Sequence, residues 1–418
     1  MLDLGAPRRG ALGFILATVA LDATGLGILI PVMPQLIRDL GQGGLEHAVI
    51  IGGWLTTLFA VMQFGASPVL GSLSDQFGRR PVLLSSLSAF GLSYELMGFA
   101  PTLAWLFAAQ CLTGLFSATS GTAYAFVTDV SAAEDRPRRF GMIGASFGLG
   151  LVIGPVLGGL LITYGTRVPF FVAAGLSLTN VLFGLLVLPE SLAQEHRRPF
   201  RWGRAHPFGA FTELRRHLRS ARLILGVLII QIVLQTLPAV WPYYTMHKLH
   251  WTPQIVGYSL GVYGLSNILV QSVLTGRIAR RFGSLRAAEV GFLLVAAGYC
   301  GYAFGTSTAF VFACIPLTVM GFITQPSLVS LMSSKIGRQA QGALQGVVAS
   351  AGSLSAMVTP LVMSNLFSLF ARPQRPWYFP GAPFLLAAAL AVTGSIVVCG
   401  GRVKNTDGTL PPRPPFEA

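Results

Sequence analysis

GMIGASFGLGLVIGPVLGG, residues 141–159, begins an apolar run with no charged side chain as far as Thr166. The run is long enough to cross a bilayer, which takes about 20 apolar residues. Gly150, Gly154 and Gly158 are four apart, so they line one helix face and allow a second helix to come close. Gly141, nine residues before Gly150, points roughly the other way at about 100° per residue. Pro155 lacks an amide hydrogen and permits a kink within the span, and Gly159 completes the series.

The rest of the chain fits a membrane reading. Of 418 residues, 53% are apolar and 11% are charged, against about 25% charged in a soluble domain. Spans are expected near 11–37, 48–72, 82–100, 104–128, 140–163, 168–188, 222–246, 254–277, 287–305, 309–331, 341–370 and 381–400. The fold expected is all-α: twelve transmembrane helices in two six-helix pseudo-repeats. An even number of spans places both termini on one side. Assigning that side to the cytoplasm leaves only Arg38, Arg167, Lys248, Arg372 and Arg375 of the 29 basic residues outside, as positive-inside insertion predicts. The net charge of +14 is then explained by topology and anionic headgroups, with no call for nucleic acid.

Residues 1–30 read as a retained first span and not a cleaved leader, because the apolar run is long and contains Asp22. Cys111, Cys300, Cys314 and Cys399 all fall within spans. They form neither a metal set nor a disulfide framework and serve as apolar packing residues. The chain contains no GxxxxGK[ST] segment for ATP, and no cofactor or metal is expected.

The arginine-rich interruption 189–221 separates an N-terminal half, 1–188, from a C-terminal half, 222–400. The interruption is expected to lie in the cytoplasm and to be helical from Phe211 to Ser220. The proline-rich tail 401–418 is expected to be disordered. At an offset of 205 residues, Gly71, Phe77-Gly78, Gly141 and Pro155 recur as Gly276, Phe282-Gly283, Gly346 and Pro360. Paired repeats around a midplane site suit a transporter whose halves rock.

Asp22 lies about eleven residues, or roughly 16 Å, into span one. An ionised carboxylate there is costly unless paired or hydrated. It is either a proton-coupling acid or a structural polar residue bonded to a neighbouring helix. Glu95, in span three, is a second proton or substrate candidate, or it reaches the interface. Gln110, Gln231, Gln235 and Asn267 line a substrate cavity or join helices. Trp241, Tyr243, Tyr244 and Tyr263 are candidates to stack a planar substrate, and for the first three, near an outer boundary, an aromatic belt is the role expected first. In the loop after span two, Gly71-Ser72-Leu73-Ser74-Asp75-Gln76-Phe77-Gly78-Arg79-Arg80, Asp75 and Arg79 are spaced to pair and Gly78 permits the turn.

These segments resemble known families. The 141–159 series is similar to the antiporter motif in the fifth span of drug exporters of the major facilitator superfamily. The 71–80 loop matches that superfamily's G-x-L-x-D-x-x-G-R-R/K pattern. Asp22-Ala23-x-Gly25-x-Gly27-x3-Pro31-Val32-x-Pro34, Met62-Gln63-Phe64, Leu188-Pro189-Glu190-Ser191 and His250-Trp251 resemble the tetracycline/proton antiporters. The resemblance implies that Asp75, Arg79 and Arg80 form a conformational latch with Asp129 at the end of span four. It also implies departures: that family's intramembrane acid in span three falls at Ser93 and its span-four arginine at Gln110. Its span-eight histidine falls at Asn267 and its span-nine acid at Val295, which leaves Asp22 as the main survivor of the charge network.

The expected function is secondary active transport in the cell membrane, as a monomeric proton-coupled exporter of a small lipophilic compound. A tetracycline-like substrate is included in that expectation. A uniporter, an importing symporter of the same fold and a membrane-embedded enzyme are the alternatives. No nucleophile-and-base constellation points to an enzyme.

Overall fold

The computed structural model describes residues 7–41, 43–132, 134–199, 221–335, 341–373 and 376–400. The expected helix at 211–220 and the tail 401–418 lie outside them. Among the described residues the chain is helical, with no strand. In order the helices are α1 (Pro7–Leu29), α2 (Met33–Leu40), α3 (Leu45–Phe77), α4 (Arg79–Phe99), α5 (Leu103–Leu115), α6 (Thr119–Val130), α7 (Arg136–Leu161) and α8 (Val168–Val187). Then follow α9 (Ala221–Lys248), α10 (Pro253–Leu269), α11 (Thr275–Phe282), α12 (Ser284–Phe304), α13 (Thr308–Met320), α14 (Thr324–Lys335), α15 (Gln341–Phe370) and α16 (Ala382–Cys399).

Eleven helical segments are long and apolar enough to cross a membrane. The twelfth span is α10 continued by a π turn, Val270–Leu274, into α11. Two expected spans are subdivided. Span one ends at Leu29, short of 37, and Pro34 opens the separate short helix α2, since proline suits a first turn and not a helix interior. Span four breaks at 116–118 between α5 and α6. Pro68, Pro155, Pro238, Pro242, Pro316 and Pro360 all lie inside helices, which membrane helices tolerate when neighbours satisfy the freed carbonyls. The repeat is visible in the backbone. Gly78 ends α3 with φ 108° and Gly283 ends α11 with φ 79°, a region closed to most side chains.

α1 packs against α7 and α8, and α4 against α5 and α8; in the second half α12 packs against α13 and α16. The two halves meet where α7 crosses α10 and where α3 crosses α9 and α15. Thr57 Oγ1 donates to the Met357 carbonyl across this boundary at 2.9 Å. Along α7 the contact with α10 runs from Gly148, facing Ile268, to Gly159, facing Pro253 and Gln254. Gly141 and Gly144, nearer the end carrying Arg79, Arg136 and Arg139, face open space, as do Gly71 and Gly276. The glycine contacts between α7 and α10 therefore lie toward the end remote from these arginines, and the glycines nearer the basic end meet nothing.

The aromatic belt expected of Trp241 and Tyr244 is corrected. Both are buried, with exposures of 1% and 0%, inside an aromatic core with Tyr302 and Phe384. Trp241 Nε1 donates to Ser259 Oγ at 2.9 Å, and the Tyr244 hydroxyl donates to the Tyr302 carbonyl. With their polar ends satisfied internally, these rings gain more from packing on one another than from the interface. Tyr243 instead reaches across the half boundary to Gly52 of α3. Tyr263 stacks on Phe322, with centroids 5.6 Å apart.

Candidate functional site

Asp22 lies within the stretch of α1, Ala20 to Ile28, along which α7 packs. A Cβ on Gly150 would stand 2.6 Å from the Ala23 Cβ and 2.8 Å from the Thr24 nitrogen, so this turn of α1 is held against α7 with no room for a side chain between them. The Thr119 hydroxyl, at the start of α6, interacts with the Asp22 carboxylate, and Tyr94 of α4 lies within Coulombic range of it. Tyr94 and Thr119 are 2% and 3% exposed, and neither hydroxyl has a hydrogen-bond partner.

Beside this group is a cavity of about 270 Å³. Its walls come from α1, α2, α3, α4, α5 and α9. They are mostly apolar, with Leu29, Phe59, Met97 and Pro238 among them, and Tyr94 and Gln110 supply polar atoms. A small number of polar groups in an apolar enclosure is the usual composition of a small-molecule site. Tyr94 belongs both to the cavity wall and to the surroundings of Asp22.

Of the four amide side chains expected in a cavity, the structure places Gln110 in this lining and the other three outside it. Gln231 lies on α9 beside Gly352 of α15, with Gln235 one turn further along α9. Asn267 lies on α10, and its Oδ1 is buried without a partner. Glu95 is half-buried on α4 and outside the lining.

At the basic end Arg79 joins three helices. Its Nη1 lies 2.6 Å from Asp75 Oδ1 and its Nε 3.1 Å from Asp129 Oδ2, while Ser191 Oγ donates to the same Asp129 oxygen at 3.1 Å. Arg80 does not join this cluster; it donates to the Leu185 carbonyl of α8 at 2.6 Å. The residue that sequence reasoning missed here is Glu190. Its carboxylate accepts the Arg79 and Arg80 amides at 2.8 and 3.2 Å, capping the N-terminus of α4 from the segment after α8. A carboxylate is favoured at that end of a helix dipole. Its place in Leu188-Pro189-Glu190-Ser191 was the only signal in the sequence.

The glycine series contacts two different helices. Gly150, Gly154 and Gly158 meet α1: Cβ atoms at Gly154 and Gly158 would stand 2.7 Å from Gly27 Cα and 2.8 Å from the Ile28 carbonyl carbon. Pro155 and Gly159 meet α10, where the Pro155 carbonyl abuts Gly257 and Gly159 abuts Pro253 and Gln254. Gly261 and Gly264 of α10 continue that seam against Val156 and Val152. The spacing Gly257-x3-Gly261 is the small-x3-small pattern already used for Gly150 and Gly154, and it was available in the sequence.

Comparison with known proteins agrees with this architecture. The family model of the Major Facilitator Superfamily matches residues 15–360. The class C tetracycline resistance protein of Escherichia coli is 37% identical over 382 residues, covering 91% of this chain and 94% of that one. The class G protein of Vibrio anguillarum is 34% identical over 87% of this chain and 91% of its own length. Among solved structures, a bacterial homologue of the human lysosomal transporter Spinster, inward-facing and unoccupied, superposes with a TM-score of 0.75 at 14% identity, over 95% of this chain and 99% of that one. The human organic anion transporter MFSD10 (TETRAN) gives 0.68 at 22% identity, over 94% and 100%. On these matches and this fold, the chain belongs to the Major Facilitator Superfamily and is a multi-span membrane transporter.

Proposed function

We propose that the chain is a proton-coupled antiporter that exports a small lipophilic compound, with tetracyclines the first class to test. The observation that carries the reading is Asp22, a carboxylate inside the span α1, with two buried unpartnered hydroxyls near it and an apolar cavity beside them. Intramembrane carboxylates mark ion and substrate pathways. The relatives named as tetracycline resistance proteins support export. With the basic end in the cytoplasm, the end at which Gly141 and Gly144 meet nothing faces inward. Substrate then enters from the cytoplasm or inner leaflet, and protonation of Asp22 accompanies release outside as the halves rock. The Asp75, Arg79 and Asp129 cluster acts as a latch on that motion.

The test is an efflux and susceptibility panel in a pump-deficient host, tetracyclines included, followed by transport in inverted vesicles with an imposed pH gradient. Wild-type protein is expected to accumulate substrate only with the gradient. Asp22→Asn is expected to abolish accumulation at normal expression. Accumulation at the wild-type rate in that variant removes Asp22 from the mechanism, and transport indifferent to the gradient makes the protein a uniporter.

A further inference from the structure

The break in span four supplies a second feature at Asp22. α5 ends at Leu115 and α6 restarts at Thr119. The break is pinned from α3: Gln63 Nε2 donates to Ser117 Oγ at 2.7 Å, and a Cβ at Gly114 would stand 2.7 Å from the Phe59 carbonyl oxygen. Within α6 the first backbone bond runs from the Thr122 amide to the Ala118 carbonyl at 2.9 Å. The amides of the first turn of a helix have no intrahelical acceptor and carry the positive end of its dipole. The first residue of this half-helix is Thr119, whose enclosed hydroxyl lies near Asp22 and has no hydrogen-bond partner. The Tyr94 hydroxyl, on α4, is equally enclosed and equally without a partner. Gly25, one turn after Asp22 on α1, makes room for the ring: a Cβ there would stand 3.2 Å from Tyr94 Cε2. Two buried hydroxyls with free donors, on two different helices, stand near one carboxylate.

We infer that Tyr94 and Thr119 are positioning residues for Asp22, and that the N-terminus of α6 serves it in place of a basic side chain. The inference rests on the reading of Asp22 as the coupling acid. The ionised carboxylate has no cation among its described surroundings. α7 and α8 carry no charged side chain along the parts packed on this turn of α1, and Asp129 and Arg79 lie at the far ends of α6 and α4. Glu95, next to Tyr94, is the remaining acid on α4. The free hydroxyl donors of Tyr94 and Thr119 and the half-helix dipole are what this chain has to offer the charged form. Hydrogen bonds to an ionised carboxylate favour that form, so removing either donor makes the acid hold its proton more tightly.

The experiment is an infrared pH titration of the whole protein in lipid vesicles, following the carbonyl stretch of protonated Asp22, identified by its loss in Asp22→Asn. Tyr94→Phe and Thr119→Val are each expected to move the midpoint to higher pH by about one unit, a tenfold gain in proton affinity. Thr119→Ser keeps the hydroxyl and is expected to keep the wild-type midpoint, which separates donation from packing. Wild-type midpoints in both Tyr94→Phe and Thr119→Val overturn the inference and leave Asp22 as the acid. A shift in Thr119→Ser equal to that in Thr119→Val also overturns it, as a packing effect. If Asp22→Asn removes no titrating band, Asp22 itself is not the coupling acid and the proposed function loses its carrier.

Discussion

Gly257→Ala tests whether the α7–α10 seam controls which end of the transporter is open. In the structure a Cβ at position 257 would collide with the Pro155 carbonyl oxygen and stand 3.1 Å from its carbon. These are backbone atoms of a helix anchored on its other face by α1, so a rotamer change cannot relieve the contact. Overpacking of this kind typically costs about 1–3 kcal/mol. The contact lies between the halves, so the cost falls on the state in which the non-basic end is closed and is relieved when that end opens. The closed-to-open ratio is then expected to fall roughly 5- to 150-fold. At position 261 the atom met is a Val156 methyl at 2.8 Å, which a χ1 change can move, so Gly261→Ala belongs at the low end of that range. The assay is a spin-label distance measurement between Thr163→Cys and His250→Cys, exposed positions at the ends of α7 and α9, with the four native cysteines replaced. A long-distance component is expected to grow in Gly257→Ala and less in Gly261→Ala. A wild-type distance distribution and a wild-type transport rate in Gly257→Ala would refute the reasoning.

Other substitutions give separate checks. Gly154→Leu places a side chain against the α1 backbone within one half, so it is expected to lower the unfolding temperature and reduce efflux sharply, while Leu151→Ile is tolerated; wild-type behaviour of both makes the face lipid-exposed. Glu190→Ala removes the cap on α4 and is expected to cost about 0.5–2 kcal/mol, read as a lower unfolding temperature, and an unchanged melt refutes the capping role. Arg79→Ala and Asp129→Asn break the ion pair at the basic end and are expected to slow transport with substrate binding retained, since they act on a conformational equilibrium. Binding lost outright with normal cycling contradicts that role.

The spans were legible because about 20 consecutive apolar residues have few other uses. Boundaries blurred only where proline or a short break divided a run, as at Pro34 and at 116–118. Periodicity identified the face formed by Gly150, Gly154 and Gly158 but not the helix opposite it, because a close-packing face carries no address. The break in span four gave no signal: 116–121 reads Phe-Ser-Ala-Thr-Ser-Gly, with no proline, and the interruption is maintained by Gln63 from another helix. Glu190 capping α4 from more than a hundred residues away, and Tyr94 and Thr119 flanking Asp22, are products of tertiary closure. Tyr and Thr are ordinary membrane-helix residues, and Tyr302, Ser327, Ser355, Thr359 and Ser368 also carry buried hydroxyls without partners, so only nearness to Asp22 distinguishes these two.

α7 is the element that relates the acid to the moving boundary. One face carries Gly150, Gly154 and Gly158, pressed on α1 from Ala20 to Ile28, and so includes the turn that bears Asp22. The adjoining face carries Pro155 and Gly159, pressed on Gly257 and Gln254 of α10 in the other half. Backbone-to-backbone contact on the first face leaves no compliant side chains to absorb a shift, and close-packed interfaces of this kind move as units. A displacement of this turn of α1 is thus expected to be shared by α1 and α7 and passed to the α10 seam. The series therefore does two jobs that its sequence periodicity merges. Gly150, Gly154 and Gly158, with the Pro155 ring on Gly27, join α1 to α7, and Gly159 with the Pro155 carbonyl forms the surface that meets the other half at α10.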